Sequence, residues 1–148
     1  MRTIKFRLYL QHDETGMITT KTFSYAEIFS GEAIRELETT YLRWAVIGKS
    51  QFTGLLDKNG KEIYEGDLIK VLDRDWSDVE KDTKVLTVYY RNDRYILINK
   101  AGIEESENSE PNIYNQEWYE IALFRKHGRD RFEIIGNIYE NPELTNPL

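Results

Sequence analysis

Residues 51–71 read QFTGLLDKNGKEIYEGDLIKV, and this stretch decides the fold. Two turn-forming groups, Asp57-Lys58-Asn59-Gly60 and Tyr64-Glu65-Gly66-Asp67, interrupt apolar runs of strand length. The first group predicts a hairpin, either through a type I turn with Gly60 in the left-handed region or through a type I′ turn centred on Asn59-Gly60. In the second group, Gly66 lets the chain turn before a strand that begins at Leu68.

The composition is that of a globular protein rich in strand-forming residues. The chain has 148 residues, of which 40% are hydrophobic and 13% aromatic, with ten tyrosines. A chain of this length can bury a core without disulfides or metals to support it. We therefore expect a folded, mainly β protein.

Charge and cysteine content exclude several classes of function. Lys and Arg number 20 against 26 Asp and Glu, and the net charge of −6 repels nucleic acid. The absence of cysteine excludes disulfides, thiolate zinc sites, iron–sulfur clusters and cysteine nucleophiles, and it fits a reducing compartment. No apolar run has the length of a signal peptide or a membrane span, so we expect a cytoplasmic protein that does not contact membranes.

The N-terminal third alternates strand and helix signals. Alternating apolar residues predict a strand over 4–10 and a hairpin partner over 17–23. Ser24 and Glu27 match a capping box, which predicts a helix beginning at Tyr25. Gly31 ends or bends that helix, an apolar face continues to residue 38, and a bent strand or two short strands follow before the 57–60 turn.

The C-terminal half predicts strands separated by charged loops. Asn92-Asp93 predicts a hairpin between two runs rich in β-branched and aromatic residues. The predicted segments are strands over 84–91 and 94–99, loops over 73–83 and 100–117, and a closing strand pair formed by 118–125 and 132–139.

Three segments of the chain carry a resemblance to a known family. They are Ile4-Lys5-Phe6-Arg7, the stretch from Gln51-Phe52-Thr53-Gly54-Leu55 through Tyr64-Glu65-Gly66-Asp67, and Ile135-Gly136-Asn137-Ile138-Tyr139-Glu140-Asn141-Pro142. On these residues the chain resembles the YopX-like family, small proteins of bacteria, phages and prophages. The resemblance implies a largely β fold and a phage or prophage setting, and it implies no known activity.

We therefore predict a mainly β fold of barrel-like, SH3-like character with a short helical insertion near residues 25–38. We expect residues 1–148 to form one domain. Within it, an N-terminal β/α part over 1–50 would pack on a C-terminal barrel-like part over 51–148.

Two acids in the second turn invite comparison with a hydrolytic site. Glu65 and Asp67 could act as a carboxylate pair, one with a raised pKa and one ionised. Gly66 between them favours the alternative, a turn in which Asp67 accepts hydrogen bonds from local backbone amides.

Other candidate sites also have simpler explanations. His12 and His127 belong to no metal-binding cluster, and His127 with Arg129, Asp130 and Arg131 is either an anion contact or a polar turn. The acidic run from Ile103 to Trp118 lacks the residue order of a calcium loop and is interpreted as a solvated loop, or else as a contact arm for a basic partner.

One hairpin has the composition of a nucleic-acid-binding surface. Aromatic and basic side chains there could stack single-stranded bases: Tyr89, Tyr90, Arg91, Arg94 and Tyr95. Since the net charge opposes this, nucleic-acid binding is the second hypothesis.

We assign no catalytic residue, metal site or cofactor, because no P-loop, dinucleotide fingerprint or Gly-x-Ser-x-Gly motif is present. The leading hypothesis is a non-enzymatic phage or prophage accessory protein that acts through protein contacts, self-association among them. The alternatives are a small-barrel nucleic-acid binder and a hydrolase with a carboxylate site. The 73–83 and 100–117 loops are the predicted places for function.

Overall fold

The computed structural model of the protein describes residues 3–74, 80–91, 94–98, 119–120 and 131–145. The chain divides into two compact units, Met1–Gly54 and Leu55–Leu148. The boundary between these units falls within a strand. The organisation of residues 1–148 as one domain stays a prediction.

The described residues form nine strands and two α-helices. The strands are β1 (Lys5–His12), β2 (Ile18–Ser24), β3 (Trp44–Leu56), β4 (Glu62–Tyr64), β5 (Asp67–Arg74), β6 (Glu80–Arg91), β7 (Arg94–Ile98), β8 (Tyr119–Glu120) and β9 (Phe132–Asn137). The helices are α1 (Tyr25–Ser30) and α2 (Glu32–Thr40), and a 3-10 turn spans Pro142–Thr145. The predicted mainly β fold with a short helical insertion is confirmed.

The strands form two antiparallel sheets. One sheet has the order β2-β1-β3-β4 and the other has the order β8-β7-β6-β5-β9. Among the described strands both sheets are open, and no closed barrel is present. No helix in the described ranges is long and apolar enough to cross a membrane.

In the first unit, β1 lies between β2 and β3. The β1–β3 register shifts between Tyr9 and Leu10, which pair with Gly48 and Val46, so Ile47 is an extra residue. This irregularity is a β-bulge, which bends a strand. The predicted bent strand is therefore present as the single strand β3.

The helical insertion begins as its sequence predicts. The Ser24 hydroxyl accepts the Glu27 N–H at 3.3 Å, and Glu27 Oε2 accepts the Ser24 N–H at 2.7 Å, so the capping box is formed. Gly31, with φ of 84°, separates α1 from α2. A 2.6 Å ion pair between Lys21 Nζ and Glu36 Oε1 joins β2 to α2.

In the second unit, β5 lies between β6 and β9. The core of this unit consists of apolar side chains from five strands: Ile63, Ile69, Val71, Leu86, Val88, Tyr95, Leu97 and Phe132. The predicted hairpin about Asn92-Asp93 is confirmed by the pairing of Arg91 with Arg94. The Gly60 N–H donates to the Asp57 carbonyl at 3.0 Å and Gly60 has φ of 79°, so the first of the two predicted turns is present.

Two predictions about the second unit are wrong. β9 pairs with β5, while β8 pairs with β7 at the opposite edge of the sheet, so 118–125 and 132–139 do not form the closing pair over the described residues. The predicted 73–83 loop is largely strand, because β5 and β6 continue through the pairing of Asp73 with Lys81. Residues 75–79 and the predicted 100–117 loop lie outside the described residues.

Candidate functional site

Asp67, one of the two candidate acids of the second turn, has a structural role. Its side chain is completely buried at the start of β5, and its Oδ2 accepts the Tyr64 N–H at 2.8 Å. A buried carboxylate is stabilised by such a bond to a backbone donor. The prediction that Asp67 binds a local backbone amide is confirmed.

Glu65, the other candidate acid, lies in a different environment. Its side chain is half-buried, and this burial raises the pKa of Glu65, although a hydrogen bond from the Tyr90 backbone lowers it in part. A general acid needs a raised pKa, but a hydrolytic carboxylate pair also needs a second acid that can act on a substrate. Asp67 is buried and bonded to the backbone, so the turn does not provide such a pair.

The turn around Gly66 contacts the C-terminal segment. The Gly66 N–H donates to the Val88 carbonyl at 2.8 Å, and the Gly66 carbonyl accepts the Ile138 N–H at 3.0 Å. Gly66 has φ of 82°, and a Cβ at this position would lie 3.4 Å from the Ile138 side chain. Two of the three segments that carry the family resemblance are therefore hydrogen-bonded to each other.

Asn137 and Asn141 organise the chain after β9. Asn137 Oδ1 accepts the N–H groups of Tyr139 at 3.0 Å and Glu140 at 2.9 Å. Asn141 Oδ1 accepts the Asn137 N–H at 3.3 Å, and a Cβ on Gly136 would collide with the Asn141 side chain. These polar residues hold a compact turn together, so they too have a structural role.

Asp57 is a third carboxylate that serves the fold. It is completely buried, and its Oδ1 accepts the N–H groups of Asn59 at 2.8 Å and Lys61 at 2.9 Å. Its Oδ2 accepts the Ile134 N–H at 3.1 Å. This N–H points to the side of β9 away from β5. Asp57 therefore joins the β3–β4 turn to an edge strand, a role that its place in a turn motif did not reveal.

His12, the one histidine that the structure describes, lies in a local hydrogen-bonded turn. His12 Nδ1 accepts the N–H groups of Glu14 and Thr15 at 3.3 and 3.4 Å, and the His12 ring packs edge-on against Trp44 at 5.0 Å. Within the described ranges, no three His, Asp or Glu side chains are grouped so that they could hold a metal ion. His127, Arg129, Asp130 and the whole acidic run from Ile103 to Trp118 lie outside those ranges.

The tyrosine hairpin offers little surface for stacking bases. Tyr90 is exposed, but Tyr95 pairs with it across the hairpin and is buried, with the two ring centroids 4.9 Å apart. Tyr89 is half-buried and, as the next residue along β6, lies on the opposite face of the sheet. Base stacking needs exposed aromatic rings on a common face, and the described tyrosines do not provide them.

Among the side chains that the structure describes, the most exposed large apolar ones lie in the first unit. Phe29 is 81% exposed on α1 and stacks on Tyr25, which is 54% exposed, with the ring centroids 5.9 Å apart. Ile34 on α2 is 58% exposed and Leu42 is 78% exposed. Helix α1 has no buried residue at all. Large exposed apolar groups on a folded domain are typical of interaction surfaces.

The sequence analysis did not identify this exposed surface, because helical periodicity alone does not separate a buried face from an exposed one. Tyr25, Ile28 and Phe29 have the i, i+3, i+4 spacing of one helix face, and that spacing normally predicts a face packed on the core. The signal that distinguishes them is the length of α1. A helix of six residues that ends at Gly31 has little surface with which to bury three large side chains.

The molecule is thus a small, mainly β protein with a helical insertion and an exposed apolar helix. The profile of the family described as YopX protein matches residues 5–146. The chain therefore belongs to the YopX family.

The chain is similar to protein EF1440 from Enterococcus faecalis, known from a crystal structure, at 20% identity and a TM-score of 0.40, over 94% of this chain and 75% of that one. No curated protein matches the chain.

Proposed function

We propose that this protein is a non-enzymatic interaction module that binds another protein through the exposed apolar side chains of α1 and its surroundings. The observation that supports the proposal is the exposure of Phe29, stacked on Tyr25, on a helix with no buried residue. Aromatic side chains are enriched at protein interfaces, where their burial provides much of the binding free energy. The polar networks at Asp57, Asp67 and Asn137 hold backbone groups, which fits a non-enzymatic role.

The setting of this interaction follows from the family resemblance. YopX-like proteins occur in bacteria, phages and prophages, so we propose a phage or prophage accessory protein. Its partner would then be a protein of the bacterial cell in which these genes are expressed. The cytoplasmic location stays a prediction.

The proposal is tested by comparing partner capture between surface variants. We would express tagged wild-type protein, F29S and Y90S in the host during prophage induction, and quantify the captured proteins by mass spectrometry. Y90S is the control, because Tyr90 is an exposed aromatic residue of the other unit. We expect a protein that wild type and Y90S retain and F29S loses by at least about tenfold, as for removal of a hot-spot aromatic.

The captured protein is then purified and titrated against the same three variants. Equal affinity for wild type and F29S would contradict a role for α1 in binding. Equal loss with F29S and Y90S would also contradict it, since the effect would not be specific to this surface.

A further inference from the structure

Among the described strands, β2 is an edge of its sheet, and it lacks the features that normally protect an edge. It has no proline and no bulge, and its one charged side chain, Lys21, is paired with Glu36 of the same chain. Natural proteins protect exposed strand edges with charges, prolines, bulges or very short strands. β2 has seven residues, four of them β-branched, and is therefore competent to pair with a further strand.

The β1–β2 ladder shows which backbone N–H and C=O groups of β2 point away from β1. The His12 N–H donates to the Met17 carbonyl at 2.9 Å, and the Tyr25 N–H donates to the Ile4 carbonyl at 3.0 Å. In an antiparallel pair, residues that bond across the ladder alternate with residues whose N–H and C=O point away. The N–H and C=O groups of Ile18, Thr20 and Thr22 consequently point to the open side of β2.

We infer that β2 pairs with β2 of a second copy of this chain, antiparallel, about a two-fold axis at Thr20. About this axis, Thr20 lies opposite Thr20 of the second copy, and Ile18 lies opposite Thr22. Each of the three residues with outward backbone groups therefore faces another such residue. Each one donates its N–H to the residue opposite and accepts that residue's N–H in return. A two-fold dimer of this kind is the commonest closed assembly of identical chains.

The side chains are self-complementary in the same register. Lys21 lies opposite Thr19 of the second copy, so the pairing opposes no like charges, which would destabilise it. Met17, 59% exposed at the start of β2, lies opposite Phe23 of the second copy, which is buried in its own chain, so this pair too opposes no charges. A register displaced by two residues in either direction leaves outward backbone groups unmatched.

This inference rests on the proposed function as an interaction module and names one of its partners as a second copy. The test uses a charge exchange at the two-fold axis. T20K and T20E each place like charges opposite one another, whereas a mixture of the two places opposite charges there. Thr20 is exposed, so neither change disturbs the packing of one chain. N59K and N59E, in the exposed turn before β4, are controls with the same charge changes.

Masses are measured by analytical ultracentrifugation over a range of concentrations at low salt. We expect wild type, N59K and N59E to reach twice the 17.6 kDa of one chain. T20K and T20E alone should dimerise at least about tenfold more weakly, and their mixture should dimerise again. A misfolded variant would not recover on mixing, so recovery identifies the pairing of β2.

Three results would overturn the inference. They are a wild-type protein that stays monomeric at high concentration, a T20K variant that dimerises like wild type, and a mixture that stays monomeric. Partner capture by F29S separates this inference from the proposed function. A monomer that still captures a partner through α1 removes the dimer alone, whereas a dimer without any α1-dependent partner removes the proposed function alone.

Discussion

Asp57 carries three backbone hydrogen bonds on one buried side chain. D57A would leave the amides of Asn59, Lys61 and Ile134 without this acceptor, and an unsatisfied buried donor costs about 1–3 kcal/mol. We expect D57A to lower the free energy of unfolding by about 3 kcal/mol, measured by urea denaturation. D13A, at an exposed aspartate that pairs with Arg43, should cost less than about 1 kcal/mol.

D57N gives a sharper test of the same role. Both oxygens of Asp57 accept backbone donors, so an asparagine would turn its NH2 group towards one of those donors. A D57N protein as stable as wild type would show that the carboxylate does not hold the β3–β4 turn to β9.

Gly136 is required for a steric reason. A Cβ at this position would collide with Asn141, whose Oδ1 accepts the Asn137 N–H. We expect G136A to lower the free energy of unfolding by about 2 kcal/mol, because Asn141 must move and its hydrogen bond is lost. The control is the double variant G136A/N141A. Since N141A removes Oδ1 and Cγ, the two colliding atoms nearest the new Cβ, G136A should cost clearly less in that background, and simple additivity would contradict the collision.

The stability of the protein depends on pH through Glu65, and the direction of that dependence follows from its raised pKa. Burial raises the pKa of Glu65, so the folded protein binds this proton more tightly than the unfolded chain. Its contribution to stability is fully present below the ordinary glutamate pKa and is lost as the pH rises through the raised value. E65Q carries no charge, so its Tm should rise relative to wild type as the pH increases from about 4 to 8.

Glu133 supplies a control of opposite sign for this measurement. The hydrogen bond from Lys58, whose Nζ lies 2.8 Å from Glu133 Oε2, lowers the pKa of Glu133. Its contribution is present above the ordinary glutamate pKa and is lost as the pH falls through the lowered value. E133Q should therefore lose stability relative to wild type at neutral pH, and the same slope for both variants would contradict the assignment at Glu65.

At the scale of elements, α1 depends on its capping box more than on packing, because none of its residues is buried. Replacement of an N-cap serine by alanine typically costs about 1 kcal/mol. We expect S24A to increase amide hydrogen exchange over residues 25–30 by roughly fivefold, with little change in β9. S24T, which retains a hydroxyl acceptor, should exchange like wild type. Equal protection in S24A and S24T would show that α1 is held by other contacts.

Elements defined by local chemistry were predicted well from the sequence. The Ser24 and Glu27 pair located the start of α1, and Asn92-Asp93 located the β6–β7 hairpin, because caps and turns depend on residues a few positions apart. The partner of β9 was not predicted. Its pairing with β5 joins residues about 65 positions apart in a register interrupted by a bulge, and no local pattern specifies such a pair.

Charge misled the prediction in a second element. The polar residues of 73–83 favoured a loop, yet β5 and β6 continue into this segment. Backbone hydrogen bonds pair two strands regardless of the polarity of their side chains, so charged residues do not by themselves indicate a loop. The exposed face of α1 was not predicted, because helical spacing of apolar side chains does not show whether they pack on the core, and α1 leaves Phe29 in water.

At the scale of the whole molecule, the charge and the placement of the tyrosines both oppose nucleic-acid binding. The net charge is −6, and Tyr95, the cross-strand neighbour of Tyr90, is buried, so it offers no exposed ring beside that of Tyr90. A stacked base is worth about 1–3 kcal/mol, so Tyr90 alone cannot supply specific affinity, and the field of the protein repels the phosphates. We expect no change in the anisotropy of labelled single-stranded or duplex probes in low salt, for wild type and Y90A alike. Binding that weakens steeply with salt and is lost in Y90A would instead assign the hairpin to nucleic acid, because both the phosphate attraction and the stacking would then have been demonstrated.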